Sequence, residues 1–237
     1  VIVPVSNETR SQHDYFYDVA GVEYVVSYGE LTKRNPLAPP SDKINSLIKE
    51  GASGLIVFTS GTTGKPKAIL HNLDVLLQKF NSRGKKLKTL AFLLFDHMGG
   101  FNTFCHALIS GSEIVCPDAH DPETIFRTVS DHKVELLPAS PSFLRAAINT
   151  IDLSSFDLTN LKLITYGSEL MDEKTLLRLC QLLPDVEFRQ TYGLSELGVF
   201  PVKTKSKKEL WIQIGSSGVS TRIINDRLHI KSKWRMI

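Results

Sequence analysis

The sequence predicts an α/β fold in which a mostly parallel sheet is covered by helices, with a β-rich segment at the C-terminal end. Apolar, β-branched runs alternate with helical patterns through residues 1–198, an order typical of parallel sheets buried on both faces. From about Val199 onward only short strand patterns remain, so we expect a β-rich subdomain to begin within residues 199–237. Hydrophobic residues make up 42% of the 237 residues, which is enough for a substantial core.

The predicted strands are short apolar runs bounded by turn residues. Within the α/β region they are residues 22–28, 55–59, 89–95, 113–116, 134–137, 161–165 and 186–190. In the C-terminal segment they are residues 209–214, 219–224 and 227–230, and Asn225-Asp226 is expected to form the hairpin turn between the last two.

The predicted helices follow from apolar spacing and from their first residues. They cover residues 42–49, 73–81, 102–109, 122–131, 141–150 and 172–183. Pro122 and Pro141 suit the first helical turn, where a missing N–H leaves no bond unmade, and Asp121 and Ser140 before them are expected to cap those helices.

The most informative segment directly follows the apolar strand at residues 55–59. It reads Phe-Thr-Ser-Gly-Thr-Thr-Gly-Lys-Pro-Lys-Ala over residues 58–68. Glycines let a backbone approach phosphate closely, hydroxyls donate to its oxygens, and lysines supply positive charge. Only two residues separate Gly61 from Gly64, and Pro66 follows Lys65, so this is not the P-loop of the large NTPase class. Pro66 also argues against a helix directly after the loop, and a plain surface turn is the alternative.

This string resembles the phosphate loop of the AMP-forming adenylating enzymes, which include acyl-CoA synthetases, aryl-CoA ligases, peptide-synthetase adenylation domains and luciferase. Five further stretches resemble motifs of that family in the family's order, so the resemblance covers essentially the whole chain. They lie at residues 95–100 (Phe-Asp-His-Met-Gly-Gly), 137–144, 163–170, 190–196 (Gln-Thr-Tyr-Gly-Leu-Ser-Glu) and 210–230.

The resemblance implies a role for each matched residue. The phosphate loop would comprise Thr59, Ser60, Gly61, Thr62, Thr63, Gly64 and Lys65, with Lys67 acting on the developing charge. Gly167, Ser168 and Glu169 would form the adenine edge, and Thr191, Tyr192 and Gly193 would complete the nucleotide site through stacking and close backbone approach. Ser195 would donate to the α-phosphate, Glu196 would bind Mg²⁺, and His97 would orient the acyl carboxylate. Taken alone, His97 is equally consistent with a structural histidine.

The sequence departs from the family pattern at two positions. Ala68 stands where the family usually has glycine after the lysine, and Ser168 stands where a second glycine is common. Asp96 matches peptide-synthetase domains, whereas the following His-x-Gly-Gly favours the CoA-ligase branch.

The implied activity is ATP-dependent conversion of a carboxylic acid to an acyl-adenylate, followed by transfer to a thiol of CoA or of a carrier protein's phosphopantetheine. The resemblance also identifies residues 1–237 as a central fragment that lacks the family's N-terminal portion and its small C-terminal domain, and that is inactive by itself. Two alternatives stay open: a nucleotide-binding regulatory module without ligase chemistry, and an unrelated phosphate-binding α/β protein.

Composition limits the partners and the compartment. A net charge of +3 does not call for a nucleic acid, and the sequence has no apolar run long enough to span a membrane. The expected partners are a small carboxylic acid, an acyl carrier protein or CoA, and a second copy of the chain. Cys105, Cys116 and Cys180 are widely spaced in apolar surroundings, so buried thiols in a cytoplasmic, reducing compartment are expected.

Overall fold

A computed structural model describes residues 1–59, 65–80, 84–200, 202–215, 218–233 and 237. The first part contains α1 (His13–Ala20), β1 (Tyr24–Ser27), β2 (Glu30–Lys33), α2 (Asp42–Lys49), β3 (Gly54–Thr59), β4 (Lys67–Asn72) and α3 (Leu73–Leu77). The central part contains β5 (Thr89–Leu90), α4 (Met98–Ser110), β6 (Ile114–Val115), α5 (Pro122–Asp131), β7 (Leu136–Ala139), α6 (Pro141–Thr150), β8 (Leu163–Tyr166), α7 (Glu173–Leu182) and β9 (Glu187–Gln190). The last part contains β10 (Tyr192–Leu194), β11 (Gly198–Phe200), β12 (Val202–Thr204), β13 (Ile212–Ile214), β14 (Val219–Ile224) and β15 (Arg227–Ser232).

Five parallel strands form the central sheet in the order β6-β5-β7-β8-β9, which confirms the predicted α/β fold. Its core lies against α5, α6 and α7, where Phe126, Leu144 and Leu176 are fully buried. The chain adds β6 on one side of β5 and then continues with β7 on the other side. In open α/β sheets, ligands bind at the carboxyl ends of the strands near such a reversal.

A second core surrounds the antiparallel hairpin of β3 and β4. Alternate side chains of a strand point to opposite faces, and both faces of β3 are covered. Ile56 and Phe58 pack with residues of α1 and α2, whereas Leu55 and Val57 pack with residues of α3 and α4. Burial on both faces explains why β3 is apolar throughout.

Three antiparallel hairpins follow β9: β10–β11, β12–β13 and β14–β15. The predicted turn at Asn225-Asp226 is confirmed, because it joins β14 to β15 and both residues have positive φ, at 49° and 58°. That geometry is the one that a two-residue hairpin turn of type I′ requires.

The predicted helix starts are confirmed where a capping residue is present. The side chains of Asp121 and Ser140 accept hydrogen bonds from the backbone N–H of Thr124 and Phe143, at 3.0 and 3.2 Å. Helices α2, α5 and α6 have their predicted limits, and α7 is one residue shorter at each end. No helix in the described part of the chain is long and apolar enough to cross a bilayer.

Several sequence predictions differ from the structure. The predicted helix 73–81 is α3, which ends at Leu77 and is followed by a 3-10 turn at Gln78–Phe80. The predicted strand 22–28 is shorter in the structure, because β1 ends at Ser27 and the chain turns at Tyr28 and Gly29, both with positive φ, into the unpredicted strand β2. The predicted strand 89–95 ends at Leu90, and α4 begins at Met98 rather than at residue 102. Helix α1 and strand β4 were not predicted. Cys105 and Cys180 are buried as expected, but the prediction for Cys116 is wrong because that thiol is exposed.

Candidate functional site

The predicted phosphate loop closes the hairpin of β3 and β4, in which Thr59 pairs with Lys67. Strand β4 begins directly after Pro66, so the prediction that no helix follows the loop is confirmed. Lys65 and Lys67 are both exposed. Ser60, Gly61, Thr62, Thr63 and Gly64 lie outside the described residues.

Helix α1 holds this end of the hairpin. The Phe16 ring stacks on Phe58 with ring centroids 4.0 Å apart, and the Tyr15 hydroxyl donates to the carbonyl of Pro66 at 3.0 Å. The two lysines therefore sit in solvent on a strand end whose backbone is anchored to a helix.

Gly167 and Thr191 meet at the carboxyl ends of the adjacent strands β8 and β9. The Thr191 N–H and its hydroxyl both donate to the Tyr166 carbonyl, at 2.7 and 3.1 Å. A Cβ on Gly167 would lie 2.2 Å from the Thr191 Oγ1 and 2.8 Å from its carbonyl oxygen, so only glycine fits. Ser168 then turns the chain with a φ of 70°. The structure thus brings two predicted nucleotide-binding segments into direct contact.

Glu169 is engaged at the start of α6. One of its carboxylate oxygens accepts from the Ser142 backbone N–H and the other from the Ser142 hydroxyl, both at 3.0 Å. Carboxylates are favoured at a helix N-terminus because unpaired N–H groups point toward them. The side chain of Glu169 thereby ties the turn at 167–169 to α6.

The β10–β11 hairpin carries the remaining predicted nucleotide residues. The Tyr192 ring stacks near Phe200, with centroids 6.4 Å apart and an interplanar angle of 21°. Gly193 lies against the opposite strand, because a Cβ there would be 3.0 Å from both the Gly198 carbonyl oxygen and the Val199 Cα.

Ser195 and Glu196 occupy the turn of this hairpin. The turn is closed by the Leu197 N–H, which donates to the Leu194 carbonyl at 3.1 Å, and by Gly198 with a φ of +80°. Glycine adopts that conformation without steric cost. The Glu196 side chain is exposed at the tip of this turn.

Sequence reasoning missed His71, which links the β3–β4 hairpin to the turn at Ser195 and Glu196. His71 lies in β4, is only 1% exposed, and its Nε2 is 2.7 Å from the Ser195 carbonyl oxygen. Burial has the largest effect on the pKa of His71 and lowers it. The hydrogen bond to Ser195 and the negative charge of Glu196 raise that pKa, whereas the positive charge of Lys79 lowers it further. The available signal was a single histidine directly after the apolar residues Ala68, Ile69 and Leu70.

His97 lies at the start of α4 with its side chain exposed, and its Nε2 is 3.8 Å from the Asp96 Oδ1. Asp96 is buried, and its Oδ2 accepts from the hydroxyls of Ser6 and Thr9 at 2.5 and 3.2 Å. The N-terminal segment therefore fixes the residue beside His97. Among the described residues, no hydrogen bond or ion pair joins His97 to the nucleotide residues above.

Known proteins resemble this chain over most of its length. A model of the AMP-binding enzyme family matches residues 8–233. The indoleacetate–CoA ligase of Aromatoleum aromaticum is 28% identical over 86% of this chain and 41% of its own length. The 4-coumarate–CoA ligase-like 2 protein of Arabidopsis thaliana is 25% identical over 81% of this chain and 35% of its own length.

A solved structure shows the same fold. The amide bond synthetase McbA from Marinactinospora thermotolerans superposes with a TM-score of 0.71 at 18% identity, covering 97% of this chain and 51% of McbA. The chain spans roughly two fifths or less of the two curated relatives above. Because the family match extends from residue 8 to residue 233, the chain belongs to the AMP-binding enzyme family.

Proposed function

We propose that the protein activates a carboxylic acid with ATP, forming an acyl-adenylate and releasing pyrophosphate, and then transfers the acyl group to a thiol of CoA or of a carrier protein. The observation that carries this proposal is the cradle at the carboxyl ends of β8 and β9, where Gly167 lies against Thr191, the residue that leads into Tyr192 and Gly193. Open α/β sheets bind nucleotides at this edge.

The chemistry explains why these residue types are needed. A carboxylate oxygen attacks the α-phosphorus of ATP, and the bond from that phosphorus to the pyrophosphate oxygen breaks. Both reactants are anions, so positioning and electrostatic stabilisation supply most of the rate enhancement. The loop from Thr59 to Lys65 would hold the β- and γ-phosphates, Lys67 would stabilise the developing charge, and Ser195 would donate to the α-phosphate.

The second half-reaction uses the same site. The thiol sulfur attacks the acyl carbonyl carbon, and AMP leaves with the electron pair of the carbon–oxygen bond. His97, exposed at the start of α4, would orient the acyl carboxylate in the first half-reaction.

Glu196 fits a Mg²⁺ ion that arrives with ATP. Mg²⁺ prefers oxygen ligands and commonly takes only one or two carboxylates together with substrate phosphates. Within the described ranges no cluster of three or more histidine, cysteine or acidic side chains forms a preassembled metal site. A single exposed carboxylate on a fixed turn is consistent with a shared protein–phosphate site. When bound, the ion would neutralise phosphate charge.

The proposal extends to the setting of the reaction. We place the protein in the cytoplasm, with a small carboxylic acid as substrate and with CoA or an acyl carrier protein as acceptor. We also propose that residues 1–237 alone are inactive. A regulatory nucleotide-binding module without ligase chemistry is the alternative.

ATP–pyrophosphate exchange by the full-length protein, measured against a panel of carboxylic acids, tests the proposal. Lys67→Ala is expected to lower turnover by about 10²–10³-fold, equivalent to ~2.7–4 kcal/mol, while affecting ATP binding less. The matched control is Lys49→Ala, which removes an exposed lysine at the end of α2. If the protein binds nucleotide but none of the acids in the panel supports exchange, the regulatory module is favoured.

A further inference from the structure

His71 is a polar side chain in a position where packing calls for an apolar one. It pairs with Leu55 across the β3–β4 hairpin, and its neighbours Ile69 and Leu70 in β4 are buried hydrophobic residues. A buried polar group costs free energy unless it is hydrogen-bonded, so a histidine that is 1% exposed requires a partner.

That partner lies 124 positions away in the chain. The His71 Nε2 is 2.7 Å from the carbonyl oxygen of Ser195, in the turn that carries Glu196. A carbonyl oxygen only accepts hydrogen bonds, so Nε2 carries the proton and donates. The His71 Nδ1 is buried and has no hydrogen-bond partner among the described residues. The ring therefore makes one hydrogen bond, through Nε2, and that bond fixes the neutral tautomer that carries its proton on Nε2.

The bond joins two parts of the proposed nucleotide site. One part is the β3–β4 hairpin, whose connecting loop precedes Lys65 and Lys67; the other is the Ser195–Glu196 turn of the β10–β11 hairpin. Apolar packing supports the same junction, since Leu55 and Val57 of β3 share a core cluster with Leu76 and with Val199 of β11. Within that junction His71 provides a directional contact, which apolar packing does not.

We propose that His71 is a positioning residue: its Nε2–H holds the Ser195 carbonyl and so sets the Ser195–Glu196 turn relative to the phosphate-loop hairpin. His71 touches neither nucleotide nor metal in this scheme. The inference rests on the proposed function, because the geometry that His71 fixes is that of the Mg·ATP site.

The test compares His71→Gln with His71→Asn and His71→Leu in the full-length protein. The amide nitrogen of glutamine reaches about as far as Nε2, whereas that of asparagine lies near the position of Nδ1 and leucine has no donor. We expect the Mg²⁺ concentration for half-maximal exchange and the KM for ATP to rise about three- to tenfold in the Asn and Leu variants. The Gln variant should stay close to the native values.

Thr175→Val is the matched control, because it removes a buried hydroxyl that donates to Asp172 at 2.8 Å in α7, outside the proposed site. Its KM values should not change even if its melting temperature falls. A second measurement needs no variant: ¹⁵N NMR of the native protein should show His71 as the Nε2–H tautomer with a proton protected from exchange.

Each outcome has a defined meaning. The inference is overturned if the folded Gln, Asn and Leu variants all have the same Mg²⁺ requirement and the same KM for ATP as one another. An Nδ1–H tautomer for His71 in the native protein also overturns it. Failure of the native protein to bind Mg·ATP rejects the proposed function itself, and the inference with it.

Discussion

Glu196 and His71 illustrate how burial separates residues that would act on ligand from residues that position others. Glu196 is exposed at the tip of a turn, where an anion remains solvated until a cation arrives. His71 is buried and lies behind the same turn, where its Nε2 is 2.7 Å from the Ser195 backbone carbonyl oxygen. Burial lowers the pKa of His71, so the ring stays neutral at physiological pH and adds no charge to the site.

Replacing Glu196 by glutamine removes one negative charge and keeps the shape of the side chain. We expect the Mg²⁺ concentration for half-maximal exchange to rise at least about fivefold, because a unit charge at metal-binding distance is worth ~1–4 kcal/mol in partly solvated surroundings. The fold should be unchanged, since the turn is held by backbone bonds and by Gly198.

The control for that substitution is Glu30→Gln, an exposed carboxylate in β2. Mg²⁺ titrations of both variants, with melting curves recorded in parallel, separate a metal role from a general loss of charge. A native Mg²⁺ dependence and native activity in Glu196→Gln would show that this carboxylate is only structural.

Residue-level reasoning detects contiguous patterns and misses contacts between distant residues. The phosphate-loop string and the Tyr-Gly-Leu-Ser-Glu stretch are each contiguous, so their resemblance to family motifs is visible in the sequence. The bonds from His71 to Ser195 and from Ser6 to Asp96 span 124 and 90 positions. No periodicity in one chain reports such pairs.

At the scale of elements, the contact between β8 and β9 makes Gly167 the least replaceable residue of the cradle. Alanine there would place its Cβ 2.8 Å from the Thr191 carbonyl oxygen, and the Thr191 backbone, whose N–H donates to the Tyr166 carbonyl at 2.7 Å, cannot move aside cheaply. We expect Gly167→Ala to weaken nucleotide binding and to destabilise the fold by about 1–3 kcal/mol, as overpacking usually does.

Gly99→Ala is the matched control, because the nearest atom to its Cβ would be the Leu93 Cδ1 at 3.6 Å, an ordinary contact. That change lies in the first turn of α4 and should leave stability unchanged or raise it by up to ~1 kcal/mol. Chemical denaturation measures the free energy of unfolding of both variants, and ATP titration measures their nucleotide affinity. If Gly167→Ala keeps the native stability and ATP affinity, Gly167 and Thr191 have room for an added methyl group, and the prediction is wrong.

Helices were predictable because their signals lie within each helix. Capping side chains and Pro at the first turn set the starts of α5 and α6 without reference to the rest of the fold. Strands were less predictable because pairing is non-local. Lys67 to Asn72 follows a proline-containing loop and was not predicted as a strand, yet it is paired along its whole length with β3.

At the scale of the whole molecule, two cores support one proposed site. The central sheet supplies the cradle at Gly167 and Thr191, and the β3–β4 hairpin supplies the phosphate loop. Several hairpins leave apolar side chains exposed, among them Val26 and Leu31 in β1–β2 and Ile223 and Leu228 in β14–β15. Exposed strand edges with apolar side chains promote association between chains.

The last prediction concerns residues 1–237 expressed alone. These residues match about two fifths or less of the curated relatives compared above. By family resemblance, a complete enzyme also carries a small C-terminal domain joined by a hinge. A hinge-linked domain that closes over a site also excludes water, and such chemistry often depends on that closure.

We therefore expect weak ATP binding, negligible pyrophosphate exchange and concentration-dependent self-association. Calorimetry, exchange assays and sedimentation on the same sample measure the three properties. Negligible exchange alone would not distinguish an incomplete site from a misfolded one, so ATP binding that is weakened by Gly167→Ala is the necessary companion result. Robust exchange by residues 1–237 would contradict the prediction, and it would mean that these residues supply every charged group that the reaction needs, with Lys65 and Lys67 as the first candidates.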